Sequence, residues 1–207
     1  GCGGMISKYS DSNNIYVAIM TNASIGNPKL FSEKHIKIIR SETLKAHKMM
    51  KIKKTFFYEF PAPNLDQYPQ SKISDVIKEL ILKIKPQLVF IPHIDDIHTD
   101  HNIISKSSLV ALRPNNKNKI ESIIAYETLS ETEWSNYNRE AFKPNLFIEL
   151  SNKNINEKIK FMKQYKSQIK KYPNTRSIEN IKYLSKYRGS IAGKKFAEAF
   201  IIIREEK

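Results

Sequence analysis

The sequence has a single cysteine, Cys2, in 207 residues, so no internal disulfide can form and the fold must rest on packing. No apolar run approaches the ~18 residues that a membrane-spanning helix needs. No basic stretch followed by an apolar segment opens the chain, as a secretory leader would. These absences predict a soluble, cytoplasmic chain. Arginine is also scarce: Arg40, Arg113, Arg139, Arg176, Arg188 and Arg204 are the six among 35 basic residues. HExxH, CxxC, GxGxxG and P-loop spacings are all missing, which removes the motifs that most simply announce zinc, dinucleotide or nucleotide chemistry.

What is present is a strong positive charge, a formal +14 at pH 7. Clustered basic residues hold nucleic-acid backbones, but base and phosphate recognition favours the planar fork of arginine. Here the excess is lysine, spread along the chain among Asn and Ile, so no nucleic-acid partner is expected. A positive field still steers anionic partners, and a phosphorylated sugar or peripheral contact with an anionic membrane surface suits it.

Hydrophobic residues make up 40% of the chain, enough for one domain over residues 1–207. "IYVAIMT" (Ile15 to Thr21) and "LVFIP" (Leu88 to Pro92) read as strands buried on both faces. "TFFYEF" (Thr55 to Phe60), "IESIIAYE" and "NLFIEL" read as further strands. Ile36, Ile39, Leu44 and Met49 mark a helix starting near Ser32, a good N-cap. Ile73, Val76, Ile77, Leu80, Ile81 and Ile84 mark another, capped by Ser71 or Ser74 and stopped by Pro86. Ile155, Ile159, Met162, Tyr165, Ile169 and Tyr172 predict a long amphipathic helix, and "KKFAEAFIIIRE" turns from helix-like to strand-like near Phe200. Strands alternating with helices predict an α/β fold with a mostly parallel sheet, which binds ligands outside the carboxyl ends of its strands.

The loop after "LVFIP" is therefore the place to look for chemistry. "HIDDIHTDH" (His93 to His101) holds three of the five histidines and three of the six aspartates. Imidazole is the commonest biological metal ligand, and a carboxylate on its second nitrogen fixes the tautomer. His98 and His101 are three apart, so on a helical turn they face the same way. In the plainer reading Asp96 or Thr99 caps a helix and the other side chains are solvated. His93, nearest the strand, suits a structural role, and at least one of Asp95 and Asp96 is expected only to cap or hydrogen-bond.

"HTDH" behind "PHIDD" resembles the second signature of the zinc-dependent N-acetylglucosaminyl deacetylases, the LmbE-like or PIG-L-like family. The resemblance extends to "GCGG" at the start, "IIRSETLKAHK", "YETLSETEW", "FKPNLFIEL", "YKSQ" and "YRGSIAGKKFAEAF". It implies a Rossmann-like three-layer α/β fold and a zinc-dependent hydrolase that removes acetyl from an N-acetylated amino sugar. Residue by residue, it makes His101 a zinc ligand and His98 the histidine that stabilises the oxyanion and protonates the leaving amine. Asp100 then orients or polarises His98, Arg40 helps hold the sugar, and Arg188 and Glu198 are structural. The family's first signature, with two zinc ligands and the catalytic-base aspartate, would lie immediately before "GCGG". The resemblance thus implies a chain that lacks its first strand and is inactive by itself. A sugar-binding relative without metal and a basic nucleotide- or nucleic-acid-binding module are the alternatives.

Overall fold

The computed structural model describes residues 1–114, 119–135 and 141–206. The chain runs through α1 (Gly3–Tyr9), β1 (Tyr16–Asn22), α2 (Ala23–Gly26), α3 (Glu33–Met49), β2 (Lys54–Pro61), α4 (Gln70–Ile84) and β3 (Leu88–Pro92). It continues through α5 (Thr99–Ala111), β4 (Ser122–Tyr126), β5 (Leu146–Glu149), α6 (Asn152–Met162), α7 (Ile178–Ile191) and β6 (Ala197–Glu205). Single 3-10 turns occur at Leu65–Gln67 and Thr132–Trp134. The fold is mixed α/β with parallel strand pairs, as expected. Its residues form two compact units, 1–62 with 147–198 and 63–146 with 199–207.

In the first unit β1 pairs in parallel with β2, Tyr16 opposite Lys54 and Val17 opposite Thr55. Met20, Ala46, Phe60, Ile155, Ile159, Phe161 and Ile181 are buried there. β1 is not buried on both faces: Ala18 is exposed, and Met20 and Asn22 are its buried members. Ser32 caps α3 as expected, accepting from His35 N–H at 3.2 Å. The α3 core face is unlike the predicted stripe, however. Leu44 and Met49 are exposed, whereas Glu42, Thr43, Ala46 and His47 are buried.

The predicted long helix stops early: Gln164 N–H and Tyr165 N–H turn to the carbonyls of Phe161 and Met162, three residues back, at 3.0 Å each. Farther on, buried Glu42 accepts from Ser167 N–H at 3.2 Å and Ser167 Oγ–H at 2.6 Å. A capping box of Ser151 and Asn154 starts α6, which ends at Met162, and Tyr172 is left exposed.

In the second unit β3 and β4 are parallel neighbours, with Leu88 opposite Ser122 and Pro92 opposite Tyr126, and β6 runs antiparallel to β4. The four-stranded order is β3-β4-β6-β5. Leu65, Ile73, Ile77, Ile81, Ile91, Ile123, Ile124 and Phe200 form the core, with the Phe90 ring edge-on to Phe200 at 5.5 Å. Ile73, Ile77 and Ile81 are the buried face of α4, as their spacing predicts. Its N-cap is Pro69 without a side-chain bond, and Ser74 instead donates to the Gln70 carbonyl at 3.1 Å. β6 begins at Ala197 rather than near Phe200. Burial and sheet pairing override the helix preference of its alanines.

Candidate active site

β3 and β4 are parallel neighbours, so the segments leaving their carboxyl ends emerge together, the position where α/β sheets bind ligands. After β3 comes His93 to His98, which leads into α5. After β4 comes the segment from Glu127 to Ser135. The two are stitched: Ile97 N–H donates to the Glu131 carbonyl at 3.3 Å, and Ser135 Oγ–H donates to the Asp95 carbonyl at 2.7 Å. Asn102, one turn into α5, donates to the carbonyls of Ile94 at 2.8 Å and Asp96 at 2.7 Å. Such bonds remove the freedom that a nine-residue polar stretch would otherwise have.

Within this frame a relay reaches His101. Asp96 is fully buried, and its Oδ2 lies 2.7 Å from His101 Nδ1. Thr132 Oγ–H donates to Asp96 Oδ1 at 2.6 Å, and the same hydroxyl accepts from Thr128 N–H at 2.7 Å. A carboxylate on Nδ1 places the ring proton there and leaves Nε2 as the lone-pair nitrogen, the arrangement that supports a metal-bound histidine. The donor chemistry therefore fits one corner of a metal site. Among the described residues, no group of three or more His, Cys, Asp or Glu is arranged to hold a metal ion.

His98 takes a different part. It is the N-cap of α5, its Nδ1 accepting from Asp100 N–H at 3.2 Å. That bond needs a lone pair on Nδ1, so the neutral ring carries its proton on Nε2. The His98 and His101 rings are stacked, centroids 5.0 Å apart and 16° from parallel. Asp100 is buried; its Oδ1 accepts from Leu65 N–H at 3.2 Å, and its tie to His98 runs through its backbone N–H. Burial pushes the Asp100 carboxyl above the usual range, against the Leu65 N–H and the two imidazoles, and Asp66 adds to the rise. His93 is buried, edge-on to the Phe142 ring at 5.3 Å.

The structure thus gathers His98, Asp100 and His101 at one helix N-terminus. Arg40 belongs to the first unit, on α3. Its Nη2 lies 2.5 Å from Glu59 Oε1, and its guanidinium sits 5.0 Å over the Phe57 ring. Partial burial raises the Glu59 carboxyl, but hydrogen bonds from Asn22 and Arg40 and the arginine charge outweigh it, leaving the group below its ordinary range. Arg188, on α7, lies over the Tyr187 ring at 5.4 Å.

Two contributors escaped the sequence reading. Thr132 acts across 36 positions and has no periodic signature; the clue was that "YETLSETEW" follows the strand pairing with "LVFIP". Asn102 looks like an ordinary helix residue until its carbonyl partners are known.

A family model described as PIG-L, GlcNAc-PI de-N-acetylase, matches residues 1–112. No curated relative matches the sequence. Among solved structures, the conserved protein TT1542 from Thermus thermophilus superposes with a TM-score of 0.76 and 20% identity, covering 100% of this chain and 90% of that one. The N,N'-diacetylchitobiose deacetylase of Pyrococcus horikoshii gives 0.72 and 20%, covering 98% and 78%. GalB of Pseudomonas putida KT2440, a 4-carboxy-2-hydroxymuconate hydratase, gives 0.73 and 12%, covering 99% and 90%. At these identities the structures show a shared fold.

Proposed function

From the premise that this chain belongs to the PIG-L family of GlcNAc-PI de-N-acetylases, we propose that it hydrolyses the acetamide of an N-acetylglucosamine-type amino sugar, using zinc. The observation that carries this reading is the relay Thr132–Asp96–His101 beside His98, at the carboxyl ends of two parallel strands. GalB, a hydratase, shares the fold, so the reading rests on the family and on these residues rather than on the fold.

In this reading His101 Nε2 is one protein ligand to the metal, and Asp96 and Thr132 hold its ring. The chemistry that zinc held there would supply is polarisation of an amide carbonyl and a water nucleophilic near neutral pH. His98, with its proton on Nε2, donates to the carbonyl oxygen as that oxygen takes negative charge. The same proton is the one at hand for the departing amine. Asp100 keeps the His98 ring in place through its N–H and adds negative potential beside it. By the sequence resemblance, the family's first signature supplies two further ligands and the base that accepts the water proton. The products are acetate and a free amino sugar. A single domain, a cytoplasmic location and a sugar contact from Arg40 complete the proposal.

The test is acetate release from N-acetylglucosamine and its glycosides by the purified protein, with its zinc content measured. His101→Ala should lose zinc. His98→Ala should keep zinc and slow turnover roughly 100- to 1,000-fold, as for other oxyanion donors. A folded, zinc-free protein that releases no acetate, or a His98→Ala variant with normal turnover, defeats the reading.

A further inference from the structure

α7 buries Ile181, Ser185 and Gly189, spaced by four. The face opposite should then be polar, because a helix with one apolar stripe turns its other side to water. It is not. Tyr183, Tyr187 and Ile191, also spaced by four, are 55%, 59% and 51% exposed. Tyr172, 59% exposed in the preceding loop, extends the stripe by meeting Tyr183 edge-on at 6.3 Å. Isolated exposed apolar residues are ordinary, but a contiguous row marks a contact surface.

The charges around the row are one-sided. Residues 170–195 hold eight basic side chains and one acidic one, Glu179. Lys182 and Lys186 are exposed on the helix, Lys170 and Lys171 are exposed just before Tyr172, and Lys194 and Lys195 are exposed beyond the helix end. Lys194 is 3.4 Å from Glu149. We propose that this outward face of α7 docks on an anionic lipid bilayer.

Three features of the face select that occupant. Tyrosine has an apolar body and a wet tip, which suits the headgroup boundary, while lysines lay their stems along apolar surface and keep their ammonium groups in the anionic layer. A second copy of the chain would bring another +14 against the same basic surface, and one short row of side chains falls well below the area of a stable dimer. Nucleic acid would engage the tyrosines by stacking, but Ile191 offers no stacking face and lysine supplies most of the charge. The inference does not rest on the deacetylase reading: membrane docking and acetate release are measured separately, and either can fail alone.

The experiment is co-sedimentation of the full chain with vesicles of phosphatidylcholine containing about 30% phosphatidylserine, beside pure phosphatidylcholine, at near-physiological salt. Binding to the anionic vesicles alone is expected. Lys182→Glu/Lys186→Glu should weaken it at least about 25-fold, on roughly fivefold per lysine. Tyr183→Ser/Tyr187→Ser should weaken it about tenfold or more, with circular dichroism unchanged. Lys78→Glu/Lys83→Glu makes the same change in net charge on a different helix, α4, and should weaken binding by less than about threefold. No binding to anionic vesicles, equal losses in both charge-reversal pairs, or no loss in the tyrosine pair would each overturn the proposal. So would self-association or nucleic-acid binding that depends on the tyrosines while vesicle binding does not.

Discussion

Replacing Glu198 with alanine should be among the most damaging single changes outside the candidate site. Glu198 is 5% exposed, and its carboxylate accepts from Gly4 N–H at 2.7 Å, Met5 N–H at 2.6 Å and Lys158 Nζ at 2.7 Å. It therefore satisfies amides at the start of α1 and neutralises a lysine that is itself only 14% exposed. Breaking a buried pair by removing one partner costs about 3–5 kcal/mol, because the surviving charge is stranded, and the unpaired amides act in the same direction. A net loss of about 4 kcal/mol is a large share of ordinary stability and corresponds to a fall in Tm of roughly 8–16 °C in a chain of this size. The diagnostic is a sign reversal. Lys158→Met should destabilise the wild type, where Glu198 keeps its two amide donors, yet stabilise Glu198→Ala, where it removes the stranded ammonium. Thermal and urea unfolding of the four proteins measure this cycle. A Glu198→Ala loss below about 1 kcal/mol, or strictly additive effects of the two changes, would refute the reasoning.

Thr132→Val removes a donor to Asp96 and an acceptor for Thr128 N–H; it should cost about 1–3 kcal/mol and weaken zinc binding about 10- to 100-fold, with Thr132→Ser restoring both in calorimetric titration. Burial holds the His47 imidazole below its ordinary value of 6.5, so the unfolded chain takes up that proton first on acidification. Stability from this group is present above pH ~6.5 and is lost as the pH falls through the folded value, and His47→Gln should flatten that part of a urea-midpoint profile. Gly4→Ala would place a Cβ 2.4 Å from Leu150 Cδ1 and 3.0 Å from Glu198 Oε1, and a loss of about 1–3 kcal/mol is expected in unfolding experiments. At Gly26 an added Cβ would fall 2.1 Å from the Ala62 carbonyl oxygen, so Gly26→Ala should lower the Tm measurably.

The legible parts of the sequence were those where local chemistry and tertiary context agree. Ser32 caps α3, the isoleucines of α4 face the core at their predicted spacing, and "HIDDIHTDH" lies at the end of a strand as read. Periodicity failed where buried polar groups replace apolar ones: the α3 core face contains Glu42 and His47, and beyond α6 the Ser167 amide bonds to the Glu42 carboxylate rather than to a helical carbonyl. α7 is missing from the periodic segments altogether, because its buried face of Ile181, Ser185 and Gly189 holds one large apolar side chain and gives no stripe to read.

By itself the sequence determined the α/β alternation, the cluster of histidines and aspartates, and the family signature order, because each is written in neighbouring residues. Only the tertiary structure decided which nitrogen of each imidazole is engaged. Asp96 fixes His101 through a carboxylate five positions away, Thr132 steadies Asp96 from the segment after the adjacent parallel strand, and His98 spends its Nδ1 on capping a helix. A proton's position on a ring is set by the groups that meet it in space, and the most distant of them in sequence, Thr132, arrives only when β3 and β4 pair.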